Sequence, residues 1–354
     1  MTGSAPYPWG LQDYPYWYTG GLLMHLNVGR VVPDRDFDRT GVALPDWARS
    51  SRAARARGRW IRITAVGLFF VASVCGMHRA FAHAVVGMRV FPATLTFDDP
   101  GVADELPLVF DSIRTPGGVD DILSASYAKT LTRKFGFVLG TDYEQVIPGS
   151  GPAMRGLDDW SFAVDYQLYK VASTESIGML QMAGTFGGSG SRAIGAPYSV
   201  YTPEFAFGQG MGFLPFSLRY WTPFAVSGAI SENIPSNSAM APRVLNWDFS
   251  LQYSIPYLQD FVHDEGIVAP FNNMVPIVEI PMQTCLDRDC PVRTTGYIDP
   301  GLIWIGHYLQ WGVEFELPIN SATGDHPGIL LGVDFYFDDL FPKSLGAPLW
   351  SAGS

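Results

Sequence analysis

The chain has 354 residues, is 47% hydrophobic and 14% aromatic, and sets 23 Lys and Arg against 34 Asp and Glu, a net charge of −11. That acidic balance excludes nucleic acid as a partner, because binding a phosphate backbone takes a basic surface. Abundant Gly (38) and Pro (27) beside so much aromatic content point to a β-rich, loop-rich fold.

Residues 1–48 are rich in Tyr, Trp, Pro and Gly and show no periodic apolar face. They read as an N-terminal extension: a translation start placed too far upstream, an extended leader, or a small cytoplasmic segment. Residues 49–84 read as a secretory signal peptide. Arg52, Arg55, Arg57, Arg59 and Arg62 precede an apolar run from Ile63 to Met77, and Ala82-His83-Ala84 supplies the small-x-small cleavage pattern. Cleavage is expected after Ala84. A spanning helix needs ~20 apolar residues, and this run ends at 15, closed by His78 and Arg79. Val74 before Cys75 is too large for a lipoprotein signal.

Residues 85–354 then form the exported domain. Ten of the 23 basic and five of the 34 acidic residues lie in 1–84, which leaves 13 against 29 and a net charge of −16. Cys285 and Cys290 are the cysteines of this part, and an even count in an exported chain predicts a disulfide. Their spacing is not that of a zinc ribbon. Neither a metal nor a cofactor is expected; Asp98-Asp99, Asp158-Asp159 and Asp338-Asp339 read as turn carboxylates.

Period-two alternation recurs along the domain. Phe135, Phe137, Leu139 and Tyr143 oppose Gly136, Val138, Gly140 and Asp142. Trp160 to Leu168 oppose Ser161 to Gln167. Leu245 to Ile255 oppose Asn246 to Ser254. Leu309 to Ile319 oppose Gln310 to Glu316. Each segment thus has one greasy and one polar face. These runs are 9 to 12 residues long, whereas soluble strands average ~5–6. Tilted strands of ~9–11 residues cross an outer membrane. Trp160, Tyr169, Trp221, Tyr257, Trp304, Tyr308 and Trp311 fall near strand ends, as interfacial belts require. Tight connections at 132–134, 172–174 and 305–308 alternate with long ones at 147–158, 187–197 and 320–327. Eleven segments are expected as strands: 122–132, 134–146, 159–171, 175–187, 198–209, 219–232, 244–256, 270–283, 295–306, 308–319 and 328–338. Barrels of this kind have an even number, so Phe91 to Phe97 is expected as the twelfth, with ten strands the fallback. The fold predicted is all-β: a transmembrane, antiparallel, up-and-down β-barrel.

The segment from Phe91-Pro92-Ala93-Thr94-Leu95-Thr96-Phe97-Asp98-Asp99-Pro100 to Glu105 resembles the mature N-terminus of a family of uncharacterised exported proteins of proteobacteria. Gly332-Val333-Asp334-Phe335-Tyr336-Phe337-Asp338-Asp339, with Pro348-Leu349-Trp350 beyond, resembles that family's C-terminal end. The resemblance implies an outer-membrane barrel or transporter, distantly similar to barrels encoded beside aromatic-degradation pathways. It brings no catalytic residues.

If the apolar faces meet lipid, the polar faces line a lumen holding Asp142, Asp165, Glu204, Asp248, Glu314, Glu316 and Asp334. Rings of carboxylates favour cations in a pore. Twelve strands make a narrow barrel, so a filled interior is the alternative. The expected function is therefore passive transport of a small solute through an acidic lumen in the outer membrane of a Gram-negative bacterium. Its expected partners are outer-membrane lipid, the solute, and the secretion and barrel-assembly machinery. Three other readings stand beside it: a non-conducting structural or binding barrel, a soluble periplasmic β-protein, and a membrane-embedded hydrolase. The hydrolase would need a nucleophile beside His263, His307 or His326, and neither H-E-x-x-H nor G-x-S-x-G occurs. No enzymatic activity is expected.

Overall fold

Alternating apolar and polar residues can bury both backbone and polar faces only if the strands pair edge to edge and close. The computed structural model, which describes residues 84–350 except 116, 289 and 291, shows that closure. The expected leader and N-terminal extension, Ala82 included, lie outside the described residues.

A small hairpin comes first, β1 (Ala84–Val86) and β2 (Arg89–Phe91). The barrel strands follow as β3 (Glu105–Thr115), β4 (Gly118–Thr130), β5 (Phe135–Pro148), β7 (Ser161–Val171), β8 (Ser176–Thr185), β9 (Val200–Gly210), β10 (Phe224–Pro235) and β11 (Val244–Tyr253). Then come β12 (Met274–Ile280) with β13 (Met282–Cys285), β14 (Thr294–Ile305), β15 (Leu309–Pro318) and β16 (Gly328–Tyr336). A short strand, β6 (Met154–Leu157), pairs only with β5. Pro281 interrupts one strand into β12 and β13, which pair with the same two neighbours, β11 and β14. Counting that pair once, twelve antiparallel strands run in chain order around the wall, and β16 closes on β3. Among the described residues no helix is long and apolar enough to cross a membrane.

Phe91 to Phe97 is not the twelfth strand; Glu105–Thr115 is. Leu95-Thr96-Phe97 alternates, but the segment leaves β2 and crosses the interior instead of pairing with the wall. The strand expected at 270–283 begins later, at Met274, and runs on past Pro281 to Cys285. Residues 254–273 form a long loop of short helical turns, with Pro256 inside the first of them. The strand expected at 219–232 is likewise shifted, to Phe224–Pro235. Connection lengths alternate less cleanly than expected: β3 and β4 join tightly at 115–118, and 211–223 and 254–273 are long loops on the rim that carries the tight turns. Cys285 and Cys290 are joined by a disulfide in the loop after β13.

Outward residues are apolar and exposed, among them Leu139, Val164, Leu180, Ile230, Leu251 and Phe315. Inward residues are buried. The chain beyond β16 turns back along one rim. Lys129 donates to the carbonyls of Leu345 (2.8 Å) and Ala347 (2.7 Å) and pairs with Asp104 at 2.7 Å. Leu349 and Trp350 donate backbone N–H groups to Thr130 and Leu131. Beside them, burial and the neighbouring Asp104 push the Asp338 carboxyl up from 3.8 to about 8. The docked tail therefore holds a proton that a free tail loses, and docking weakens as pH rises from about 4 through about 8. Cleavage after Lys343 by a lysine-specific protease, normalised to an unstructured peptide, should quicken over that window. Asp338→Asn should flatten the profile; an unchanged profile would remove Asp338 as its cause.

Candidate functional site: the barrel interior

Residues 84–104 fill the interior next to the rim of tight turns. The β1–β2 hairpin turns at Gly87, which has φ +63°, and a Cβ there would lie 2.9 Å from the Ala172 carbonyl. Phe91, Ala84 and Val86 pack with Ile177 of β8 and Ala225 of β10. Leu95 packs with Val275, Ile277, Ile303 and Leu330 on the opposite side. Phe97 returns to Met179, Ala206 and Ala229. The wall gives way to this plug at glycines: a Cβ on Gly208 would stand 2.8 Å from Phe91, and one on Gly312 2.6 Å from Leu95. Leu95→Ala should cost about 2–5 kcal/mol of plug packing, seen as a lower temperature for loss of the folded gel band.

Polar wall residues hold the plug's backbone. Glu279 accepts from Leu95 N–H (3.1 Å) and Thr96 N–H (3.0 Å), and also from the Thr96 hydroxyl. Gln310 donates to the Ala93 carbonyl at 2.6 Å. The Gln167 amide donates to Pro100 O at 3.1 Å and accepts from Val102 N–H. An irregularity in β7 between Gln167 and Tyr169 lies where this contact is made.

Arg89 is the most heavily bonded group of the plug and is fully buried. Its Nε pairs with Glu175 at 3.2 Å, Nη1 donates to Pro223 O at 2.8 Å, and Nη2 donates to the Thr222 and Phe224 carbonyls. The guanidinium lies 4.0 Å from the Tyr257 ring centroid. Tyr257 in turn donates to Glu175 at 2.9 Å. Burial and the neighbouring Glu175 push its hydroxyl up to about 12. Tyr257 is thus a lid over the plug rather than part of an aromatic belt. One guanidinium ties the plug to a turn at 172–175 and to both long loops of that rim.

The remaining interior is acidic. Asp142, Asp165, Glu204, Asp248, Glu314, Glu316 and Asp334 are all buried and lie opposite the exposed apolar residues of their strands. Six more carboxylates share that inward face: Glu105, Asp111, Asp120, Glu144, Glu279 and Asp299. Glu105 and Asp111 sit on β3, which sequence patterning did not single out. Asp120 precedes the segment expected as its strand, Glu144 lay on an expected strand beyond the clean alternation, and Pro276, Pro281 and Pro300 blur the alternation around Glu279 and Asp299. Glu279, Asp299, Glu314 and Glu316 form a patch in which carboxyl groups face one another across β12, β14 and β15. Neither Asp299 nor Glu314 has a basic partner among the described residues. The interior ion pairs described are Arg89–Glu175 and Lys129–Asp104. A cavity of about 20 Å³ lies between the plug and the β3–β4 wall, lined by Thr94, Asp98, Asp99, Glu105 and Ser126 among others. Among the described residues no group of three or more His, Cys, Asp or Glu side chains is placed to hold a metal ion. His263 and His307 lie in loops at one rim and His326 in a loop at the other.

No protein-family model matches the chain, and no curated protein does. Among solved structures, the chain is similar to the KdgM porin in complex with disordered oligogalacturonate, at 11% identity and a TM-score of 0.40, over 66% of this chain and 99% of that one. It is also similar to LpxR from Salmonella typhimurium, at 9% identity and a TM-score of 0.38, over 66% of this chain and 100% of that one. A third is Salmonella typhi OmpF in complex with daunomycin, at 9% identity and a TM-score of 0.26, over 65% and 96% of the two chains.

Proposed function

We propose that the chain is a porin-like barrel of a Gram-negative outer membrane, which passes small cationic or polar solutes and is held closed by its own residues 84–104. The observation that carries this reading is the acidic interior. Thirteen inward carboxylates line the strands, and burying charged groups in a dry core costs several kcal/mol per ion. Such a wall is tolerable when water and mobile cations share the lumen, and it then favours cations in transit. The outward apolar surface supports a bilayer as the surrounding solvent, since soluble monomers rarely expose contiguous apolar patches beyond a few hundred Å². The resemblance of residues 91–105 and 332–350 to a proteobacterial outer-membrane family agrees with this. On the same reading, a leader ending at Ala84 delivers the chain to the secretion and barrel-assembly machinery, and Cys285–Cys290 forms after export.

Reconstitution in a planar bilayer under a KCl gradient tests the proposal. Openings should be rare and should reverse on the cation-selective side of zero. Anion-selective openings would overturn it. A second reading, a non-conducting binding barrel, is favoured by the buried plug, and persistent silence after plug release would establish it.

A further inference from the structure

The two long loops of the plugged rim carry an apolar surface that neither the lumen nor the plug uses. In 211–223, Phe213, Phe216 and Trp221 are exposed, Phe216 by 77% and Trp221 by 60%. In 254–273, Phe261, Val268 and Phe271 are exposed, Val268 by 72%. The loops join adjacent strand pairs, β9–β10 and β11–β12, so they stand side by side. The helical turn at 216–221 packs against the turn at 258–262.

We infer that these loops form a lobe that lies in the lipid interface and extends the barrel's hydrocarbon contact beyond the rim on that side alone. The inference rests on the bilayer reading of the barrel. Continuity decides the occupant. The Trp221 ring lies 5.5 Å from Phe224 on β10, and Phe224 lies 4.7 Å from Tyr253 on β11. The aromatic surface of the lobe thus runs without a break onto the outward wall. The 211–223 loop contains no acidic residue, and its single charge, Arg219, sits 4.8 Å from the Phe216 ring and 5.1 Å from Tyr220. A cation held among aromatic rings beside an apolar surface matches the headgroup level, where aromatic rings settle and basic side chains meet phosphate.

Nitroxide labels on the full chain carrying Cys75→Ser, in phosphatidylethanolamine–phosphatidylglycerol vesicles, test this, placed singly at Phe216→Cys, Val268→Cys, Leu251→Cys on the barrel wall, and Glu265→Cys in the loop. The disulfide keeps Cys285 and Cys290 from the label. Collision rates with oxygen and with a water-soluble nickel chelate then report the surroundings of each label. Phe216→Cys and Val268→Cys should match Leu251→Cys in favouring oxygen, by several-fold over Glu265→Cys. If Leu251→Cys favours oxygen while the two lobe labels favour nickel, the lobe is aqueous and the inference falls while the barrel reading stands. Lobe labels shielded from both reagents would mean a protein covers them, which also overturns it. A nickel-accessible Leu251→Cys would remove the bilayer reading, and this inference with it.

Discussion

Replacing Arg89 by alanine should turn a largely silent barrel into a conducting one. The guanidinium meets Glu175, three carbonyls at 222–224 and the Tyr257 ring, so its loss strands a buried carboxylate and unpairs the plug from both rim loops. Removing one partner of a buried ion pair costs about 3–5 kcal/mol. Because those contacts exist only while the plug is seated, the cost falls on the closed state. At tenfold per 1.4 kcal/mol, the plug's release equilibrium should shift by roughly a hundred- to several-thousand-fold. The measure is open probability in bilayers, or solute entry into vesicles, on protein whose heat-modifiable gel mobility proves the wall intact. Arg89→Lys keeps a charge but not the planar fork and should give an intermediate value. A complementary variant guards against misfolding. The Gly332 Cβ position lies 3.1 Å from Leu95 Cγ, so Leu95→Cys with Gly332→Cys can form a disulfide across plug and wall. Oxidised, that pair should silence the Arg89→Ala barrel, and a reductant should reopen it. A folded Arg89→Ala barrel that stays silent would make the interior a sealed core.

The wall was legible in the sequence because period two survives wherever an apolar outer surface backs a polar interior. Phe135 to Tyr143 and Leu309 to Leu317 show this plainly. Legibility failed where the interior is itself apolar. β3 sends Val109 inward against the cluster around Leu95, so its two faces look alike, and Pro107 removes a further cue. The plug deceived for the converse reason. Leu95 and Phe97 alternate with Thr96 as a strand would, yet both apolar side chains are buried against opposite walls of the lumen. Nothing local distinguishes Arg89 either. Its partner Glu175 is 86 residues away, and that contact comes into being only when the barrel closes around the hairpin. The inward carboxylates follow from alternation where it is clean; Glu279 and Asp299 escape beside prolines, and Asp120 and Glu144 escape just outside the clean runs of β4 and β5.

Neutralising Glu314 and Glu316 together should sharply reduce cation preference once the plug is released. Both project inward from β15 into the patch shared with Glu279 and Asp299. At ~8 Å and an effective dielectric of ~20, one carboxylate attracts a passing monovalent cation by about 2 kcal/mol before screening. A Debye length of ~10 Å at 0.1 M salt reduces this to about 1 kcal/mol. Two such charges amount to roughly tenfold or more in the cation-to-anion permeability ratio. Glu314→Gln with Glu316→Gln on the Arg89→Ala background should therefore move the reversal potential most of the way toward zero in dilute KCl, and much less at 1 M, where screening reaches ~3 Å. Glu232→Gln, at a half-exposed ion pair with Arg243, should leave it in place. If the double variant reverses where its parent does at low salt, the β15 carboxylates stand off the ion path. Selectivity would then have to be sought on the other side of the lumen, where Asp165 and Glu204 face each other across β8.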